Sequence, residues 1–254
     1  MGGMDLAEVE SVIGRFVAEI TELLHPLAIW AHGSLALGDF QPGRSDLDLV
    51  AVLAEPLTAQ QSARLTTLHE RLVRDMAAAA KLHCTYVPIA EIADAEIDHY
   101  TFAQAHALRR PVSPVTRREL STAGRVLAGA GPAELLPPIS DSELAAYIRH
   151  MLRTYYLAVV TKSPSIWFSD TWIDQVTLAC ARAAVTLREG RLISKGAALE
   201  ELSHRGVPQR LVDDIRRRRY GEQPGRTGLA WRVRRALIFR SCMAAQIRSL
   251  LAES

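Results

Sequence analysis

Two aspartates one residue apart open an apolar run, and few features restrict a fold more. In a strand reading Asp46-Leu47-Asp48-Leu49-Val50-Ala51-Val52-Leu53, successive side chains alternate between faces. Asp46 and Asp48 then share one face, while Leu47 and Leu49 demand a core on the other. Adjacent carboxylates repel each other unless a cation stands between them. Mg²⁺ suits that place, because it takes hard oxygen ligands and brings substrate phosphates with it.

Gly33-Ser34 lies twelve residues before Asp46, just past the short apolar run Leu27 to Trp30. Glycine lets the backbone approach a phosphate closely, and serine adds a hydroxyl donor. A short helix starting at Ser34 would aim free N–H groups at the anion. Residues 30–53 thus read as strand, tight turn, polar loop, strand. They make a place for the tail of a nucleoside triphosphate and for a metal at its reacting phosphorus.

At this point the sequence resembles the polymerase-β-like nucleotidyltransferases, whose signature is Gly-Ser, a loop, then Asp-x-Asp. The spelling GSLALGDFQPGRSDLDLVAV is most similar to the aminoglycoside adenylyltransferases that modify streptomycin and spectinomycin. The resemblance implies an α/β fold: a mixed-sheet nucleotidyltransferase domain with helices, followed by an all-α helical bundle domain. It assigns Gly33 and Ser34 to the triphosphate of ATP, and Asp46 and Asp48 to Mg²⁺. Its activity would move AMP to a hydroxyl of an aminoglycoside and release pyrophosphate, a form of antibiotic resistance.

The resemblance breaks at a third carboxylate. The family carries a catalytic Glu in a strand that aligns with Leu82-His83-Cys84-Thr85-Tyr86-Val87, so His83 stands in its place. Imidazole can serve as a base but is a poor ligand for hard Mg²⁺. Three readings stay open. His83 is the base, Glu91 or another acid replaces it from outside the strand, or the chain binds nucleotide without transferring it.

The chain of 254 residues suits one large domain or two small ones. No apolar run is long enough to span a membrane, the acidic N-terminal stretch has no export core, and three scattered cysteines fit reduced thiols. These predict a cytoplasmic protein. Charge is uneven: residues 1–137 hold 11 Lys and Arg against 17 Asp and Glu, whereas residues 138–254 hold 19 against 11. The Gly- and Pro-rich stretch Gly129 to Pro138 marks the boundary, giving domains 1–137 and 138–254.

Asp5 can cap a first helix to Leu24, and Thr58 with Gln61 spells a capping box for a helix to Ala79. Leu82 to Val87 is a third strand, and Pro111 to Pro114 a loop. Past Pro138 every segment reads as helix: Ser140 with Glu143 caps one to Val160, and Ser169 begins one ending at Gly190. Ser194 caps the next, ended by Gly206. Pro208 opens one to Tyr220, and Thr227 caps the last, to Ala252.

In this half the resemblance assigns Arg182 and Lys195 to the triphosphate and Tyr220 to the nucleotide. Acceptor-binding residues fall on the helix start at Trp167, Asp170 and Asp174. Asp170 and Asp174 are four apart and share a helix face. The expected partner is a small molecule bound with ATP in a cleft between the domains of a monomer. The Arg-rich tail, Arg216 to Arg240, favours the alternative of an RNA or protein acceptor.

Overall fold

Strand β2 (Leu47–Leu53) is buried along nearly its whole length, and the N-terminal unit is layered around it. The computed structural model describes residues 6–223 and 228–253. The chain divides into two units, Met1–Ile139 and Ser140–Ser254.

In the first unit, α1 (Leu6–Leu24) leads to β1 (Ala28–Ala31), which turns through the one-turn helix α2 (Gly33–Ala36) and a loop into β2. Helix α3 (Ala59–Asp75) crosses to β3 (Leu82–Pro88), which pairs parallel with β2. A hairpin follows, β4 (His99–Ala103) and β5 (His106–Arg110), then α4 (Pro114–Ala123), β6 (Arg125–Gly129) and α5 (Pro132–Leu135). The six strands lie in the order β5-β4-β3-β2-β1-β6 and every other pairing is antiparallel.

Alternation divides β2 between two cores. Leu47, Leu49, Ala51 and Leu53 join Phe16 and Ile20 of α1 and Leu65 and Leu72 of α3 on one face. Val50 and Val52 meet Trp30, Val87, Val112 and Leu120 on the other. Each fully buried large aliphatic side chain contributes roughly 1.5–3 kcal/mol. Helices therefore cover both sheet faces.

The Thr58–Gln61 capping box is formed, with Gln61 N donating to Thr58 Oγ1 at 3.2 Å and Thr58 N to Gln61 Oε1 at 2.9 Å. The helix it starts ends at Asp75 rather than Ala79, because extended Met76 breaks it and a 3₁₀ turn (Ala77–Lys81) takes over.

Every regular element among the described residues of the second unit is helical. Helix α6 (Asp141–Met151), capped by Ser140, runs through a π-helical segment (Leu152–Tyr156) into α7 (Leu157–Lys162). A 3₁₀ turn (Pro164–Phe168) precedes α8 (Asp170–Glu189), capped by Ser169 and ended by left-handed Gly190. Then come α9 (Lys195–His204), capped by Ser194, α10 (Gln209–Tyr220) and α11 (Leu229–Ala252). Pro208 occupies the cap position of α10, one residue ahead of the first turn we expected. The expected caps Asp5 and Thr227 lie outside the described residues. No helix among the described residues is long and apolar enough to cross a membrane.

Candidate active site

The end of β1 and the start of β2 are stitched together where the site lies. His32 N donates to the Asp48 carbonyl at 2.9 Å, one step beyond the Ala31–Leu49 pair of the ladder. Gly33 then takes the left-handed conformation, φ +64°, and a Cβ at this position would stand 2.8 Å from Asp48 Oδ2. The left-handed backbone favours glycine, and any side chain here would push the Asp48 carboxylate aside. Helix α2 starts at Gly33, one residue earlier than expected, and its turn closes by Leu37 N donating to the Gly33 carbonyl at 3.0 Å. The loop that follows is folded on itself: Gln41 N donates to Ser45 Oγ at 3.0 Å and Ser45 N to the Gln41 carbonyl at 2.8 Å. That closure delivers Asp46 to the start of β2.

His83 faces Asp48 across the parallel ladder. Its Nδ1 stands 3.4 Å from Asp48 Oδ1 and its Nε2 3.9 Å from Asp46 Oδ1. One imidazole thus spans both carboxylates, so Asp46, Asp48 and His83 are brought together on one side of the sheet. The two carboxylates are partly exposed, at 41% and 33%, while the His83 side chain is only 11% exposed. Lys81 Nζ also reaches Asp46 Oδ1, at 3.3 Å. Among the described residues no three acidic, His or Cys side chains form a closed cation cage. Mg²⁺ does not need one: it binds through one or two carboxylates, keeps water, and takes the rest of its ligands from phosphate. Asp46 and Asp48 fit that requirement, and His83 leaves the third carboxylate position without a hard oxygen.

A second histidine enters the site that the sequence reading missed. His32 Nδ1 stands 3.1 Å from Oε2 of Glu119 on α4, whose side chain is 8% exposed. A carboxylate is rarely buried so deeply without a partner. The only cue in the sequence is a histidine directly before Gly33-Ser34; its partner lies 87 residues away. His32, Asp48, His83, Thr101, Arg110 and Thr116 line one cavity of about 60 Å³. Glu91 is not part of it: its Oε2 stands 3.5 Å from His99 Nδ1 on β4. A larger groove of about 570 Å³, between α1 and α3, is lined by side chains such as Glu19 and Arg71 that already pair with each other.

In the second unit Arg182 reaches the segment between α8 and α9, and Lys195 begins α9. Arg182 Nε donates to the Ile193 carbonyl at 2.8 Å, and Lys195 is exposed at the first position of α9. Tyr220 is 40% exposed at the end of α10, with the Arg219 guanidinium 5.7 Å from its ring centre. Trp167 carries the Arg240 guanidinium at 5.0 Å. Asp170 and Asp174 each have a guanidinium of the chain itself. Arg218 Nη2 stands 2.5 Å from Asp174 Oδ1, and Arg235 Nη2 2.5 Å from Asp170 Oδ1. Both arginines also reach Asp214, at 2.5 and 3.0 Å. Burial alone would lower the Arg218 pKa, but Asp174 and Asp214 hold it above its ordinary value.

Residues 13–110 match the model of the nucleotidyltransferase domain family. No curated protein matches the chain by sequence. Among solved structures, the chain is similar to spectinomycin adenyltransferase AAD(9) from Enterococcus faecialis, crystallised with ATP and spectinomycin. That likeness has a TM-score of 0.68 at 14% identity, over 94% of this chain and 99% of the other. Residues 13–110 thus match the nucleotidyltransferase domain family, and the chain shares its fold, sheet unit and helical unit alike, with spectinomycin adenyltransferase.

Proposed function

We propose that the protein transfers AMP from ATP to a hydroxyl of a small molecule, an aminoglycoside of the streptomycin or spectinomycin kind. The observation that carries this reading is the convergence of Asp46 and Asp48 on His83 beside the Gly33-Ser34 turn. Gly33 and Ser34 receive the triphosphate tail; in the second unit Arg182, Lys195 and Tyr220 are the residues proposed for nucleotide contact. Asp46 and Asp48 would hold Mg²⁺, which when bound neutralises charge at the α-phosphate. The acceptor oxygen forms a bond to the α-phosphorus, the bond to the β-phosphate oxygen breaks, and pyrophosphate leaves. His83 takes the hydroxyl proton. Trp167, Asp170 and Asp174 meet the acceptor.

Pyrophosphate release from ATP across a panel of aminoglycosides tests the reading, and silence on every member would reject it. Nucleotide binding without transfer is the second reading. It is favoured by the missing third carboxylate and by Lys81 beside Asp46. ATP that raises the melting temperature without any pyrophosphate release is its signature.

A further inference from the structure

A diagonal of polar side chains crosses the sheet face that carries the Asp48–His83 pair. Directly paired residues share a face, as do residues two apart on one strand. Asp48 pairs with His83, and Thr85 is two further along β3. Thr85 pairs with Thr101, and His99 is two back along β4. His99 pairs with Arg110 at the end of β5. Thr85, Thr101 and His99 are 9%, 1% and 3% exposed, where the neighbouring positions of the same face hold Trp30, Val50 and Val87. The Thr85 and Thr101 hydroxyls bond each other at 3.1 Å. Arg110 ends the diagonal, half-buried, its backbone in the ladder with His99 and its side chain in no hydrogen bond or ion pair with a described residue. Arg110 lines the same cavity as Asp48 and His83.

Strand order says which reactant lies there. The Gly33-Ser34 turn follows β1, on one side of Asp48; His83, Thr101 and Arg110 follow in turn on β3, β4 and β5, on the other side. In an in-line displacement donor and attacking group approach the phosphorus from opposite sides. With the triphosphate at the β1 side, Arg110 stands on the side of the attacking hydroxyl. A cavity of about 60 Å³ has room for a few waters or one small group, not for a sugar ring. Guanidinium offers only donors, in a fork that matches paired oxygens and repels ammonium.

We propose that Arg110 is an acceptor-side specificity residue: its guanidinium, with the Thr116 hydroxyl, receives a carboxylate-sized oxygen group beside the hydroxyl that reacts. This rests on the nucleotidyl-transfer reading and narrows it. The acceptor presents a carboxylate or carbonyl at the reacting hydroxyl and carries any ammonium groups elsewhere.

The test uses the full chain and acetate as a carboxylate probe. The Arg110 Nε–H resonance, assigned by its absence in Arg110→Gln, should shift saturably with acetate, with or without ATP and Mg²⁺ present, and not with methylammonium. In transfer assays Arg110→Gln should raise the acceptor KM by about tenfold or more, the usual cost of losing a charge-assisted hydrogen bond. The ATP KM should stay unchanged, and Arg110→Lys should recover part of the loss. No response to acetate overturns the proposal. So does a response to inorganic phosphate alone, or one abolished by ATP, since Arg110 then serves the donor phosphates. Pyrophosphate release separates the two readings. If pyrophosphate is released from ATP while acetate is silent, only the Arg110 assignment falls; if none is released, the nucleotidyl-transfer reading falls.

Discussion

Asp48 Oδ2 lies 2.8 Å from the point where a side chain on Gly33 would begin. The metal-binding candidate and the phosphate-binding candidate are thus in contact through the absence of an atom. Gly33→Ala adds that atom at a backbone conformation which costs an L-residue about 1–2 kcal/mol. We expect a stability loss of about that size in urea unfolding and, with Asp48 pushed aside, nearly complete loss of transfer. Unimpaired transfer by this variant would show that Asp48 need not sit over the turn.

Asp46→Asn and Asp48→Asn should each lower the rate by roughly two orders of magnitude or more, since losing metal stabilisation forfeits several kcal/mol. Both side chains are partly exposed, so melting temperatures should stay close to that of the parent. Turnover at the parental rate in either variant removes that carboxylate from the metal.

These positions were legible because their chemistry is local in sequence. Gly33-Ser34 and Asp46-x-Asp48 lie within one strand–turn–strand, and caps such as Thr58, Ser169 and Ser194 sit within three residues of the N–H groups they accept. The hairpin of β4 and β5 was missed because its turn hides its type. Gln104 and Ala105 take φ of +53° and +60°, where Asn-Gly or Asp-Gly is the readable sign. Helix α4 was missed because its buried side includes Arg117 and Glu119, which read as surface. Their partners come from far away: Arg117 Nη1 donates to the Ala93 carbonyl at 3.0 Å, and Glu119 meets His32. No periodicity encodes such contacts.

His83 decides whether the missing third carboxylate matters. If His83 accepts the hydroxyl proton, His83→Ala should cost roughly 10²–10⁴ in rate, the usual share of general-base catalysis. His83→Glu puts a carboxylate on the same ladder position, opposite Asp48, and should retain or raise the rate by offering Mg²⁺ a hard ligand. Full activity in His83→Ala would assign the proton to another group.

His69 gives the fold a measurable acid sensitivity away from the site. It is 1% exposed, stacks on Phe102 at 4.2 Å, and its Nε2 meets the Tyr86 hydroxyl at 2.8 Å. Burial pushes its pKa down to about 3. The unfolded chain takes up this proton near pH 6.5 and the folded chain does not. Its contribution is therefore whole above pH 6.5 and is lost as pH falls toward 3, at about 1.4 kcal/mol per unit. Between about pH 5.5 and 4, unfolding free energies of the parent should fall more steeply than those of His69→Gln by that amount. Equal slopes would mean that the native protein protonates His69.

The acidic helix start proposed to meet the acceptor should act as an ion exchanger. Asp170, Asp174 and Asp214 face Arg218 and Arg235, so these five side chains sum to one negative charge. One ammonium group can be taken up with both guanidiniums in place. A second can reach a carboxylate only by displacing an arginine, one cation traded for another with no net charge neutralised. Uptake of the first cation should weaken as salt is added; that of the second should hardly respond to salt, and should depend instead on where the released arginine goes.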